Sequence, residues 1–227
     1  VMGPEATSLR ATVEEVKTMR GLVREAMDAG AIGFATSKSI THSGFAGKPV
    51  PSRQASYEEM DQLVSVLGEL QRGIMQITIG KEFSLDEMAK ISRERNVPVT
   101  WTALLAGLRG PGSHRMFLDR TAAHLKEGAR VIPQVSARPL NFEFNWADPF
   151  PFEVIKLFNE LAGADVKDPG ARLKAYGDAG FRNQFKANLT PVLQNWWDRT
   201  VIAFCPAVPE LEEQNLGAVA RARGVDP

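Results

Sequence analysis

One four-residue pattern, a hydroxyl residue followed three positions later by glutamate, recurs at three points of this chain. It pairs Thr12 with Glu15, Ser56 with Glu59 and Ser84 with Glu87. The pattern predicts a helix start, because the hydroxyl and the carboxylate each satisfy an amide N–H that a helix leaves unpaired. An amphipathic stretch follows each pair. Val16, Met19, Val23 and Met27 share one face of the first, and Met60, Leu63, Val64, Leu67 and Leu70 share one face of the second. Gly30 supplies a stop for the first. Short apolar strands alternate with these helices: "AIGFAT", "IMQITI", "VPVTWTALL" and, after a fourth helix near "HRMFLDRTAAHLKEG", "ARVIPQVS". Helices alternating with short β-branched strands predict βα units and a parallel sheet.

The fold class expected is α/β: a partial (β/α)8 TIM-type barrel of about four to five parallel units, short of the eight that close one. The fifth candidate strand is "TVIAFC". Residues 1–139 read as consecutive barrel units. Residues 140–200 read as an aromatic-rich, mostly helical insertion or lid, and 201–227 as a further strand and helix of the barrel. The start at Val1 and the stop at "RGVDP" read as cut ends of a longer enzyme.

Charge narrows the partners. There are 27 Lys and Arg against 27 Asp and Glu, so no net field draws in nucleic acid or anionic lipid. No apolar run approaches the ~20 residues that cross a bilayer, and no signal-peptide pattern opens the chain. The single cysteine, Cys205, fits a reducing cytoplasmic setting and reads as a buried small hydrophobe.

In a parallel barrel the chemistry sits where strands end. That rule nominates Thr36, Ser37, Lys38, His42 and Arg53 after the first strand, and Thr78, Lys81 and Glu82 at the second. Thr100, Trp101 and Thr102 follow at the third, with Gln134, Ser136 and Arg138 after the fourth. Arg53 and Arg138 suit a carboxylate, which a planar guanidinium grips with paired hydrogen bonds. Each equally suits pinning a loop through backbone carbonyls. His42 reads as a base, a ligand or a solvated loop residue. Lys38 reads as solvent-facing, and His114 and His124 as surface residues. No HxH, HExxH, CxxC, GxGxxG, GxxxxGK[ST] or GxSxG pattern occurs. No catalytic set and no metal ligand is assigned from these residues.

The stretch "REAMDAGAIGFATSKSITHSGFAGKPVPSRQASYEEMDQL" resembles the N-acyl-D-amino-acid deacylase (D-aminoacylase) branch of the amidohydrolase superfamily. "PVTWTALL", "VIPQVSARP" and "PELEEQNLGAVARARGVDP" resemble later landmarks in the same order. The resemblance implies a metal-dependent barrel that hydrolyses the amide C–N bond of an N-acyl-D-amino acid, with zinc as the expected cofactor of the full-length enzyme. It implies Ser37, His42, Arg53 and Arg138 as substrate-binding positions. It also implies metal-binding histidines after the second and third strands, where this chain reads "IMQITIG" and "VTWTALL". The family's HxH pair is expected upstream of Val1 and its late aspartate downstream of Pro227. The chain alone is then expected to be inactive, its partners a small N-acyl amino acid and the remaining barrel parts. Two other readings stay open: a lyase or isomerase barrel, and a non-catalytic barrel module without its metal site.

Overall fold

Thr12 caps the first helix as its spacing predicts. Its hydroxyl accepts from the Glu15 N–H, and the Glu15 carboxylate accepts from the Thr12 N–H at 2.8 Å. Helix α1 then spans Val13–Asp28. Ser84 and Glu87 close the same reciprocal box at the start of α3, Leu85–Arg95. At α2, Tyr57–Leu70, only half of the box forms. The Ser56 hydroxyl accepts from the Glu59 N–H at 3.2 Å, and the Glu59 carboxylate makes no return bond among the described residues. Gly30, at φ 105°, turns the chain after α1, while Gln71 and Asn96 take the left-handed conformation after α2 and α3. Helix α4 is Ser113–Lys126.

This computed structural model describes residues 1–44, 48–106, 111–137, 143–147, 149–152, 155, 157–158, 169–189 and 196–227. They belong to two compact units: Val1–Leu140 with Phe150–Val154, and Asn141–Pro149 with Ile155–Pro227.

In the first unit the strands are β1 (Gly33–Ser37), β2 (Ile74–Thr78), β3 (Val99–Thr102) and β4 (Val131–Pro133). They form one parallel sheet in the order β1-β2-β3-β4, the partial-barrel arrangement expected of successive βα units. Register places Phe34, Met75, Val99 and Val131 in one row, and Thr36, Ile77 and Trp101 in the next. Alternation sends both rows to one face. There they meet Met60, Val64 and Leu67 of α2 and Leu85, Met88 and Ile91 of α3 in a single core. Each such buried side chain contributes about 1.5–3 kcal/mol. Gly33 permits the closest strand approach: a Cβ there would stand 2.0 Å from the Ile74 carbonyl oxygen.

Polar ties fix the helices. Arg95 of α3 grips both carboxylate oxygens of Asp61 in α2, with Nε at 2.7 Å, and this raises the Arg95 pKa further. Asp86 joins α3 to α4 through Arg120 at 2.8 Å and His124 Nε2 at 2.9 Å. The hydrogen bond from Arg120 comes first among the causes that hold the Asp86 carboxyl below its ordinary value. His124 is therefore a half-buried interhelical tie and not a surface residue; His114 is half-buried too.

The fifth strand expected over "TVIAFC" does not join the sheet. Val201 instead makes a lone antiparallel bridge to Asn215, flanked by Ile202 N–H to Gln214 at 2.9 Å and Leu216 N–H to Thr200 at 2.9 Å. These local bonds satisfy the backbone groups that a sheet would otherwise have used. Cys205 is only half-buried.

The second unit is held by aromatic rings and caps. Helices α5 (Pro169–Gly177), α6 (Ala179–Asn188) and α7 (Leu216–Arg223) carry its regular structure. Phe158 lies 5.5 Å from both Phe181 and Phe185, and Trp146 lies 5.6 Å from Tyr176. Asp178 and Asn215 cap α6 and α7.

Candidate active site

Strand β1 ends in a loop that folds back onto it. The chain turns at Ser39–His42, where the His42 N–H reaches the Ser39 carbonyl at 3.2 Å, and returns through a short 3-10 turn at Pro51–Arg53. Two side chains fasten the return. Ser52 Oγ donates to the Ser37 carbonyl at 2.6 Å, and Lys38 Nζ donates to the carbonyls of Arg53 at 2.9 Å and Ala55 at 2.5 Å. Lys38 is buried, only 3% exposed. The expectation of a solvent-facing lysine is overturned by strand parity: Lys38 follows Thr36 onto the helix-covered side. Burial pushes its pKa below the ordinary lysine value, opposed by the Glu82 carboxylate. Gly80 allows this packing, since a Cβ there would fall 1.8 Å from the Lys38 carbonyl oxygen.

Parity sends Ser37 the other way, onto the face that the helices leave open. It stands in register with Thr78 and, through it, Thr102. Ser37 Oγ lies 2.6 Å from His42 Nδ1 and accepts from the Ser39 N–H at 3.2 Å. Arg53 Nη1 donates to the His42 carbonyl at 3.4 Å. The structure thus brings together Ser37, His42 and Arg53. Arg138, the fourth position, lies outside the described residues.

Further along the open face, Gln76 Nε2 donates to Thr102 Oγ1 at 2.8 Å, and Thr102 Oγ1 donates to Gln134 Oε1 at 2.7 Å. Other strand-end candidates go elsewhere. Trp101 enters the core, with its ring 5.6 Å from Phe117, and Glu82 pairs with Arg10 at 3.2 Å. Lys81 is exposed, and Ser136 is exposed as well. Thr36 lines a separate pocket of about 410 Å³ on the covered side, walled by Met19, Phe34, Met60 and Leu63, with Glu59 as its carboxylate. Burial raises the Glu59 pKa above the ordinary glutamate value, and the Lys38 charge opposes that rise. Sequence reading takes Glu59 only as a capping partner. No local pattern distinguishes a carboxylate that turns back to its cap from one that enters a pocket.

Among the described residues, the ends of β2 and β3 do not suit zinc. The residues directly after β2 are Ile79 and Gly80, and those after β3 are Ala103 and Leu104. On the open face beside them Gln76, Thr102 and Gln134 offer a hydroxyl and neutral amides, whereas zinc is held by imidazole, thiolate or carboxylate; Glu82 follows β2 but pairs with Arg10. Among the described residues no group of three or more His, Cys, Asp or Glu is placed to hold a metal ion. Among them, too, no helix is long and apolar enough to cross a membrane.

No protein-family model matches the sequence, and no curated protein matches it. Solved structures do. A D-aminoacylase studied for its binuclear metal centre aligns over 99% of this chain at 19% identity, with a TM-score of 0.50. The chain has the fold of the D-aminoacylase barrel over the stretch it covers. It spans 37% of that D-aminoacylase chain. An N-acyl-D-glutamate deacylase from Bordetella bronchiseptica, complexed with zinc and a phosphonate mimic of the tetrahedral intermediate, aligns over 97% of this chain and 36% of its own. Identity there is 16% and the TM-score 0.48.

Proposed function

We propose that this chain is part of a barrel hydrolase acting on the amide C–N bond of N-acyl-D-amino-acid-like substrates, and that the loop after β1 lines the substrate pocket. The observation that carries the reading is the convergence of Ser37, His42 and Arg53 at the C-terminal end of a barrel strand, the end where barrel enzymes place their chemistry. The D-aminoacylase fold supports it. In this reading Arg53, together with Arg138, receives the substrate carboxylate, and Ser37 and His42 contact the acyl part.

The test is release of free amine by the full-length protein from N-acetyl-D- and N-acetyl-L-amino acids. D-selective turnover is expected. Losing one charge-assisted contact costs about 1.5–3 kcal/mol, so Arg53→Ala should raise KM roughly 10- to 150-fold. An unchanged KM removes Arg53 from the pocket.

The aliphatic residues after β2 and β3 favour a second reading, a non-catalytic barrel module. Absence of turnover with any N-acyl amino acid, in a protein that melts cooperatively, selects it.

A further inference from the structure

We propose that Lys38 is a positioning residue of the substrate pocket, its buried side chain setting where the Arg53 guanidinium meets a substrate carboxylate. The role holds only if Arg53 receives that carboxylate, as proposed above. Strand alternation puts Lys38 directly behind Ser37, on the covered side. Both ends of the lysine are fixed. Its backbone N–H donates to the Thr78 carbonyl at 3.0 Å, and Gly80 packs so closely on its carbonyl that a Cβ there would clash. Its Nζ donates to the carbonyls of Arg53 at 2.9 Å and Ala55 at 2.5 Å. Ser52 ties the same turn to the Ser37 carbonyl at 2.6 Å. A single tie would let the turn swing; ties at Ser52, Arg53 and Ala55 fix its direction. Arg53 Nη1 then reaches the His42 carbonyl at 3.4 Å, so the backbone that Lys38 holds carries the guanidinium to the loop beside Ser37.

An ammonium is a costly anchor. At 3% exposure it has lost hydration that two carbonyls replace only in part, and burial pushes its pKa below the ordinary lysine value. A hydroxyl ties the loop at lower cost, as Ser52 does. What the ammonium adds is a pair of charge-assisted bonds from one atom, one of them to Arg53 itself. Glu82 and Glu59 favour its charge, and Arg10 and Arg53 oppose it. The neutral amine keeps N–H donors but loses the charge that strengthens both bonds. The grip on Arg53 therefore weakens as pH climbs towards the ordinary lysine value, and substrate affinity should weaken with it.

The test is KM and kcat of the full-length protein, for the N-acetyl-D-amino acid it turns over fastest, in Lys38→Met, Arg53→Ala and the double variant. Lys38→Met should raise KM roughly 5- to 30-fold and leave kcat within about twofold. In the Arg53→Ala background it should add nothing, because it acts through that side chain. A second arm leaves Lys38 in place and so decides the matter where Lys38→Met does not fold. Wild-type KM should rise as pH approaches the ordinary lysine value of 10.5 from below, and KM of Arg53→Ala should stay flat over the same range. KM losses that multiply in the double variant overturn the role, leaving Lys38 a structural post. So does a wild-type KM that stays flat with pH. A raised KM in Arg53→Ala beside an unchanged KM in Lys38→Met overturns this role alone. An unchanged KM in Arg53→Ala, or no turnover of any N-acyl amino acid, overturns the carboxylate reading and this role together.

Discussion

The two faces of the four-stranded sheet obey different rules. On the covered face, Met75, Ile77, Val99 and Trp101 are all but fully buried against α2 and α3. On the open face lie Ser37, Gln76 and Thr102, polar and hydrogen-bonded to one another, to Gln134 or to the returning loop. Burial on one side fixes the fold, and because side chains alternate, it also fixes which residues are left for chemistry on the other. A one-residue slip of β1 would exchange Ser37 for Lys38.

The largest effect should come from the covered face. Ile77→Ala removes a fully buried side chain at the middle of the sheet and should cost about 2–5 kcal/mol in urea denaturation. A loss below about 1 kcal/mol would mean that this face is not the core.

Next comes the polar group on the wrong side of that divide. Lys38→Met removes the donors to the Arg53 and Ala55 carbonyls and should cost about 1–3 kcal/mol, measured the same way. It should also loosen the loop, read as faster amide hydrogen exchange over residues 48–55. Unchanged exchange there would show that Ser52 alone secures the return.

How much of this was legible follows from the same alternation. The Ser56 and Thr12 helix starts, the strands and their order, and the buried stripe of α2 are periodic, so short-range spacing reveals them. The placement of Ser37 and His42 at a strand end follows from the barrel rule. Their contact across five residues does not, because it depends on how the loop turns at Ser39–His42. Lys38 was readable in principle from its parity with Thr36, but the ordinary preference of lysine for solvent argued the other way. The strand expected at Val201 failed for the reason that short apolar runs often fail: local antiparallel pairing with Asn215 competes with the sheet, and nothing in six residues decides between them.

A smaller effect tests the open face. Thr102→Val keeps the shape but removes the hydroxyl shared by Gln76 and Gln134. Both amides can turn to water on this side, so the cost should be about 0.5–1.5 kcal/mol. A loss as large as that of Ile77→Ala would show that the open face is packed as tightly as the covered one.

The smallest effect has the opposite sign and depends on pH. Glu59 sits in the apolar pocket on the covered side, and burial raises its pKa above 4.5 in the folded chain. The folded state therefore holds the proton more tightly than the unfolded state. Stability at this position falls as pH rises from the ordinary glutamate value through the raised one, and stays lowered above it. Glu59→Gln keeps the N–H that bonds Ser56 but removes the charge, so it should melt at a higher temperature than wild type near neutral pH. As pH drops below the ordinary glutamate value, wild-type Glu59 becomes a neutral acid and the difference should vanish. Thermal melts of both proteins across that range check it. A constant difference at every pH would assign the gain to shape or propensity instead of charge. A lower melting temperature at neutral pH would mean that the Lys38 charge outweighs burial, making Glu59 a partner of that lysine and tying the covered pocket to the support beneath the Ser37 loop.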